Sequence, residues 1–277
     1  MSRNGVGVKS ERELWSSLYR TSAFRLWLQN TANSVLESYY RFDLRRTLRS
    51  SIPLIPGQRL LEVGCAPGRY LVFFHRWFGV RVAGVDYSPR GCEQTRRTLA
   101  QTRTRGEVVC SDFFDARFLR RHAGAYDYVF SSGFIEHFEE SRKVLATQRS
   151  LLKSGGYIIC LVPNLVGINR ALTERRIINI HNTQIMSLNS MRELVDRRDE
   201  VLFLDYIGGP FNLGLLFYTS KLIEYPRLAL YALQRVLIDQ PLKLLRFTGL
   251  RFRSCRSSPS ILLVVRKAGA KRRHTKK

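Results

Sequence analysis

One segment constrains this chain more than any other: Leu60-Leu61-Glu62-Val63-Gly64-Cys65-Ala66-Pro67-Gly68. An apolar run of strand length passes directly into a turn of small residues, and a helix-like run opens at Arg69. Glycine in such a turn allows left-handed backbone and lets a ligand approach the main chain. A helix that starts at once turns its free amides toward that ligand. The pattern then repeats, with strands predicted over 59–63, 80–85, 107–110, 126–131 and 156–162. Helices are predicted between them over 68–77, 89–102, 115–122 and 138–152. Apolar strands alternating with helices imply a parallel sheet covered on both faces.

Two further strands, 201–207 and 261–265, bring the count to seven. Ser190-Met191-Arg192-Glu193 reads as a capping box that opens a short helix. Residues 11–50 read as helical until Pro53 and Pro56-Gly57 break the chain. Residues 211–250 do not fit the alternation, being Leu-rich and punctuated by basic residues and by Pro226 and Pro241. The expected division is a helical segment over 1–57, a core over 58–210, a helical insertion or lid over 211–257, a closing strand over 258–267 and a basic tail over 268–277.

Composition removes several classes. Hydrophobic residues make up 44% of the 277, enough for a sizeable core and against global disorder. The five cysteines are odd in number and form no C-x-x-C pair, so neither a disulfide framework nor a zinc-cysteine site is indicated. Most sit in apolar runs and read as buried hydrophobes of a reducing compartment. Residues 1–13 are polar, without the apolar stretch of a signal peptide, and no uncharged run is long enough to span a membrane. A cytoplasmic protein is expected. The net charge of +24 predicts contact with polyanions: RNA, DNA or an anionic membrane surface.

Successive strand ends carry the chemistry. The first ends in Glu62 and the glycine turn. A dinucleotide fingerprint would place its last glycine at 69, where Arg69 stands. The second strand ends in Asp86, placed to accept both hydroxyls of a ribose, and Ser88-Pro89 opens the next helix as N-cap and first residue. The third ends at Asp112-Phe113, a carboxylate for an adenine amino group and a ring to pack on it; the alternative is a helix-capping Asp and a core Phe. The fourth ends in Ser131-Ser132-Gly133-Phe134-Ile135-Glu136-His137-Phe138.

In order and spacing, LLEVGCAPG, VAGVDYSP, SDFFD, YDYVFSSGFIEHF and LLKSGGYIICLVPN resemble the class I S-adenosylmethionine-dependent methyltransferases, in particular those acting on small molecules, lipids and glycans. Ala66 departs from the family's middle glycine. The resemblance implies a Rossmann-like seven-stranded sheet with its last strand antiparallel, S-adenosylmethionine as cofactor, and a cofactor site made of Glu62, Gly64, Cys65, Ala66, Gly68, Asp86, Tyr87, Asp112, Phe113, Ser131 and Ser132. In that site Glu62 helps hold the methionine amino group, Asp86 the ribose, and Asp112 with Phe113 the adenine. Ser131 and Ser132 face the cofactor.

Methyl transfer from a sulfonium requires mainly positioning of the acceptor, and a hydroxyl acceptor gains from a general base. His137, just past the fourth strand, is one candidate, with a structural role as its alternative. His181, where the family covers its acceptor pocket, is the other, and Glu136 is weaker. No carboxylate cluster suggests a metal. A small-molecule, glycan or lipid-linked acceptor is expected, methylated on oxygen. RNA methylation is the rival reading, although no Asn/Asp-Pro-Pro-aromatic motif follows the fourth strand and no RNA-binding module is recognisable. A non-catalytic cofactor-binding scaffold is the third, and the intact set of Glu62, Gly64, Asp86 and Asp112 speaks against it. Within 211–250, Leu228, Tyr231, Leu233, Val236, Leu237, Leu244 and Leu245, accompanied by Arg227, Arg235, Lys243 and Arg246, predict either a lid or dimer-contact helix packed on the domain or a surface for an anionic membrane.

Overall fold

A computed structural model describes residues 2–3, 6–7, 37–173, 175–210 and 233–269. Seven strands form one sheet: β1 Arg59–Val63, β2 Arg81–Asp86, β3 Gly106–Cys110, β4 Tyr126–Ser132, β5 Leu152–Pro163, β6 Glu200–Ile207 and β7 Ser260–Arg266. Their spatial order is β3-β2-β1-β4-β5-β7-β6. β1 to β5 pair in parallel, and β7 runs antiparallel between β5 and β6. The expected fold class is the observed one. Residues 2–3 and 6–7 form a small separate antiparallel pair.

The apolar strands follow from burial on both faces. Leu61, Val63, Val129, Cys160 and Leu263 point to one layer, and Leu60, Phe130, Ile159, Leu161 and Val264 point to the other. Successive strand side chains alternate sides, so a doubly covered strand must be apolar at nearly every position. Helices α1 Tyr39–Ser51, α2 Arg69–Phe78, α3 Pro89–Gln101, α4 Ala116–His122 and α5 Ser141–Ser150 supply the covering layers. Phe74 of α2 is fully buried against Phe130 of β4, ring centroids 4.9 Å apart.

Helix ends match their sequence signals closely, with one correction. Ser88 caps α3, its hydroxyl accepting from the Gly91 amide at 3.2 Å, with Pro89 in the first turn. Ser190 to Glu193 do not open a helix. They close one, Leu188–Glu193, whose cap is Ser187, accepting from the Ser190 amide at 3.1 Å. The capping-box pattern misleads because Ser190 already lies inside the helix: its own amide is the one that Ser187 caps, and the Met191 amide donates to the Ser187 carbonyl. Before that helix lie two short ones, Ile168–Leu172 and Arg175–Asn179. Of the cysteines, Cys65, Cys92 and Cys160 are buried as expected, while Cys110 and Cys255 are exposed.

The expected N-terminal helix is seen as α1; residues 11–36 lie outside the described residues, as do 211–232 and the basic tail from 270. The described end of the expected insertion is a π-helical turn, Gln234–Asp239, continuing into the helix Gln240–Phe247. Two of its basic side chains are structural. Arg246 is buried beside Asp43 of α1, Nε to Oδ1 3.5 Å, and Lys243 donates to the Glu37 carbonyl. The second oxygen of Asp43 accepts the Gly208 amide at 3.1 Å, so α1, the end of β6 and this helix are tied at one carboxylate. Leu244 and Phe247 of the same helix remain exposed. No helix among the described residues is long and apolar enough to cross a membrane.

Candidate active site

The site lies at the carboxyl ends of β1, β2 and β4, where ligands bind in open α/β sheets. Gly64 leaves β1 at φ +72 and Gly68 caps α2 at φ +88, both in the left-handed region. Gly64 is fixed by space as well: a Cβ there would stand 2.8 Å from Cδ2 of Phe134. The turn is pinned to β2 through the Gly64 amide, which donates to the Val85 carbonyl at 2.9 Å. Cys65 contributes backbone only, since its side chain is buried where a Cβ on Gly84 would come within 2.6 Å.

Two buried carboxylates flank this turn. Asp86 accepts from the Ala66 amide at 3.2 Å through one oxygen and from the Ser88 amide at 2.9 Å through the other. It therefore holds the glycine turn and the start of α3 together, with lone pairs to spare for ribose hydroxyls. Burial raises its carboxyl above the ordinary range, and the amides of Ser88, Ala66 and Tyr87 partly offset this. Glu62 is 3% exposed and its Oε2 has no hydrogen-bond partner. Burial pushes its carboxyl well up, the Leu71 amide opposes this, and Asp86 adds to it. A buried carboxylate without a cation is costly, and an ammonium group beside it would remove that cost. Together with the left-handed backbone at Gly64 and Gly68, this donor set fits the amino-acid end of S-adenosylmethionine.

The third and fourth strand ends divide the expected residues. Asp112 accepts from the Phe114 amide at 3.0 Å, while the cap of α4 is Asp115. Tyr87 is half-buried at the end of β2. Phe113 is 4% exposed, edge-on to Phe134 at 5.6 Å and to Phe114 at 5.0 Å, and belongs to the core. Ser132 is partly open, but the Ser131 side chain is not placed to face a cofactor. It is fully buried and donates to Oε1 of Gln148 in α5 at 3.3 Å. Alternation along β4 sends neighbouring side chains to opposite faces, which separates the buried Ser131 from the half-buried Ser132.

Beyond Gly133 a 3-10 turn, Ile135–His137, faces the residues just after Asn179. The Asn182 amide donates to the Glu136 carbonyl at 2.6 Å, and its side-chain amide donates to the Glu139 carbonyl at 3.3 Å. This clamp sets His181 against His137, ring centroids 4.5 Å apart. His137 Nδ1 lies 3.1 Å from the Ile180 carbonyl and His181 Nδ1 2.5 Å from that of Ile177. Burial lowers both imidazoles: His137 falls to about 3, with His181 contributing, while His181 is lowered by a smaller desolvation. Glu136 is wholly buried, and burial pushes its carboxyl up to about 8. Its Oε1 lies 4.0 Å from His137 Nε2. The two histidines expected from sequence are thus brought together, and the weaker candidate, Glu136, completes the group.

A model of the methyltransferase domain matches residues 36–199, more than half of the chain. A curated relative, the ubiquinone biosynthesis O-methyltransferase of Thiobacillus denitrificans, is 28% identical over 137 residues, covering 49% of this chain and 56% of that protein. The chain thus spans about half the length of the curated relatives it matches. Among solved structures, the geranyl diphosphate C-methyltransferase of Streptomyces coelicolor, in complex with Mg2+, geranyl diphosphate and S-adenosyl-L-homocysteine, has a TM-score of 0.52 at 18% identity, covering 81% of this chain and 78% of that one. The [4+2]-cyclase SpnF has a TM-score of 0.54 at 14% identity, covering 82% and 81%. At these identities the structural likeness speaks for the fold.

Proposed function

Because the chain belongs to the methyltransferase-domain family, with S-adenosylmethionine as its cofactor, we propose that it methylates a hydroxyl oxygen of a small-molecule acceptor held between the Gly64 turn and the His137–His181 pair. One observation carries the reading. The ring of Phe134, against which Gly64 packs, belongs to the same short segment as His137, which supports an acceptor position beside the cofactor turn. The curated relative's O-methyl chemistry supports the choice of oxygen.

S-adenosylmethionine supplies a methyl group already activated on a sulfonium. The chain's own residues bind and orient. Glu62 takes the ammonium of the methionine portion, Asp86 the ribose hydroxyls, and Asp112 the adenine amino group, with Phe113 behind it. Gly64, Cys65, Ala66 and Gly68 offer backbone, and Tyr87 and Ser132 border the crevice. His181, the less buried imidazole, faces the acceptor, and His137 backs it. Holding an acceptor oxygen in line with the methyl group is the larger part of the rate gain.

Isothermal titration with S-adenosylmethionine, followed by transfer of labelled methyl into phenols, lipid, glycan and RNA fractions, tests this reading. Label in a hydroxylated small molecule is expected. No binding heat, or label in RNA alone, would overturn it. The exposed Leu244 and Phe247 favour a lipid-borne form of that acceptor. Failure to co-sediment with anionic vesicles at low salt removes that version.

A further inference from the structure

Glu136, His137 and His181 bring one carboxylate and two imidazoles together in a single group. Each side chain offers one ligand atom, and the three atoms lie within 4.8 Å of one another. Both oxygens of Glu136 are buried, and among the described residues no side chain donates to them; the backbone amides of Glu136 and Phe134 are what favours the charged form. Among the described residues, the ion-pair partner within 4.0 Å of this carboxylate is the neighbouring His137 ring, and no lysine or arginine is paired with it. The Ile180 carbonyl holds the His137 ring at Nδ1, the Gly133 carbonyl also lies against the ring, and Nε2 stands 4.0 Å from Oε1 of Glu136. The His181 ring is oriented by the Ile177 carbonyl at Nδ1, which turns its Nε2 to the group. An imidazole whose other nitrogen donates to a backbone carbonyl is the usual support of a metal ligand.

We propose that Glu136, His137 and His181 hold one divalent transition-metal cation on the acceptor side of the cofactor turn. Two imidazoles and one carboxylate form a borderline donor set that suits zinc or cobalt better than magnesium or calcium. Bonds of about 2.1 Å to a tetrahedral ion place ligand atoms roughly 3.4 Å apart, so the three must draw in by about an ångström. Three protein ligands leave a position for the acceptor, the pattern of catalytic rather than structural sites. No such site is expected from sequence, because the carboxylate and the second histidine come from separate segments.

The inference rests on the methyl-transfer reading for its role. An acceptor hydroxyl in the open position would lose its proton to bulk water, since a divalent cation lowers the pKa of a bound hydroxyl. The oxygen's electron pair then forms the C–O bond as the C–S bond breaks, and the electrons of that bond stay on sulfur.

The test uses the full-length chain, stripped with a chelator and titrated with cobalt(II). One equivalent by elemental analysis, with visible absorption bands, is expected. Glu136→Gln and His181→Ala are each expected to weaken cobalt binding at least about tenfold. Binding of S-adenosylmethionine, measured in chelator, is expected to persist in both variants and also reports that they fold. The isosteric Glu136→Gln keeps the test decisive should His181→Ala not fold. Wild-type protein without bound cobalt, or binding undiminished in the folded variants, overturns the site. Loss of S-adenosylmethionine binding by wild-type protein would instead overturn the methyl-transfer reading, so the two failures are distinct.

Discussion

The two halves of the crevice are built by different means. The proposed cofactor half uses consecutive strand ends, backbone amides and glycines, most of them within the stretch from Glu62 to Phe113 and ordered by the parallel register of β1, β2 and β3. The acceptor half uses side chains, and its members meet only because Asn182 fastens one loop to the turn after β4. Backbone sites tolerate little change in conformation but much in side-chain chemistry. Side-chain sites behave in the opposite way. Such a division suits a family that keeps one cofactor while its acceptors differ.

The largest effect should come from Asp86→Ala. It removes the ribose acceptor and orphans the amides of Ala66 and Ser88, so S-adenosylmethionine affinity should fall about a hundredfold or more by calorimetry, roughly 3 kcal/mol. Unchanged affinity would break the assignment of the cofactor half. Next is Gly64→Ala, which meets both the left-handed φ and the Phe134 ring. We expect a stability loss of about 2 kcal/mol in urea, partly recovered when combined with Phe134→Leu. Strict additivity of the two would mean that the halves are not in contact.

Third is a pH effect at Glu62. Its folded carboxyl lies well above the ordinary 4.5, so between 4.5 and the folded value the native state binds more protons than the unfolded chain. Stability of cofactor-free protein should therefore be highest below about 4.5 as far as Glu62 alone is concerned, and fall as pH rises through the folded value. Glu62→Gln should remove that part of the slope in urea titrations, and an unaltered slope would relocate the buried charge. The smallest effect belongs to Ser131→Ala. Loss of one buried hydrogen bond to Gln148 should cost about 1 kcal/mol of stability and leave S-adenosylmethionine affinity unchanged. A fall in affinity would return Ser131 to the cofactor half.

How much was legible follows the same line. Alternating apolar strands and helices fixed the sheet, because doubly buried strands leave a nearly continuous apolar record. The candidate residues at the ends of β1, β2 and β3 could be picked out because they lie at set steps from a strand end. Ser131 could not be separated from Ser132 in sequence, since which face of β4 meets α5 depends on packing. The helix cap was misplaced at Ser190 because two serines three residues apart each read as a cap, and only the backbone at Ser187 settles which one it is. Basic residues of the insertion read as surface charge, yet Arg246 is spent on Asp43, a partner from α1 that no local pattern indicates.

The sequence by itself determined the sheet, its parallel order at the glycine turn, and the kind of cofactor that Glu62, Gly64 and Asp86 can hold. Those features depend on periodicity and on neighbours a few residues apart. Tertiary structure alone decided that Glu136, His137 and His181 share one place. Their meeting depends on the Asn182 clamp and on burial, and both arise only once distant segments pack.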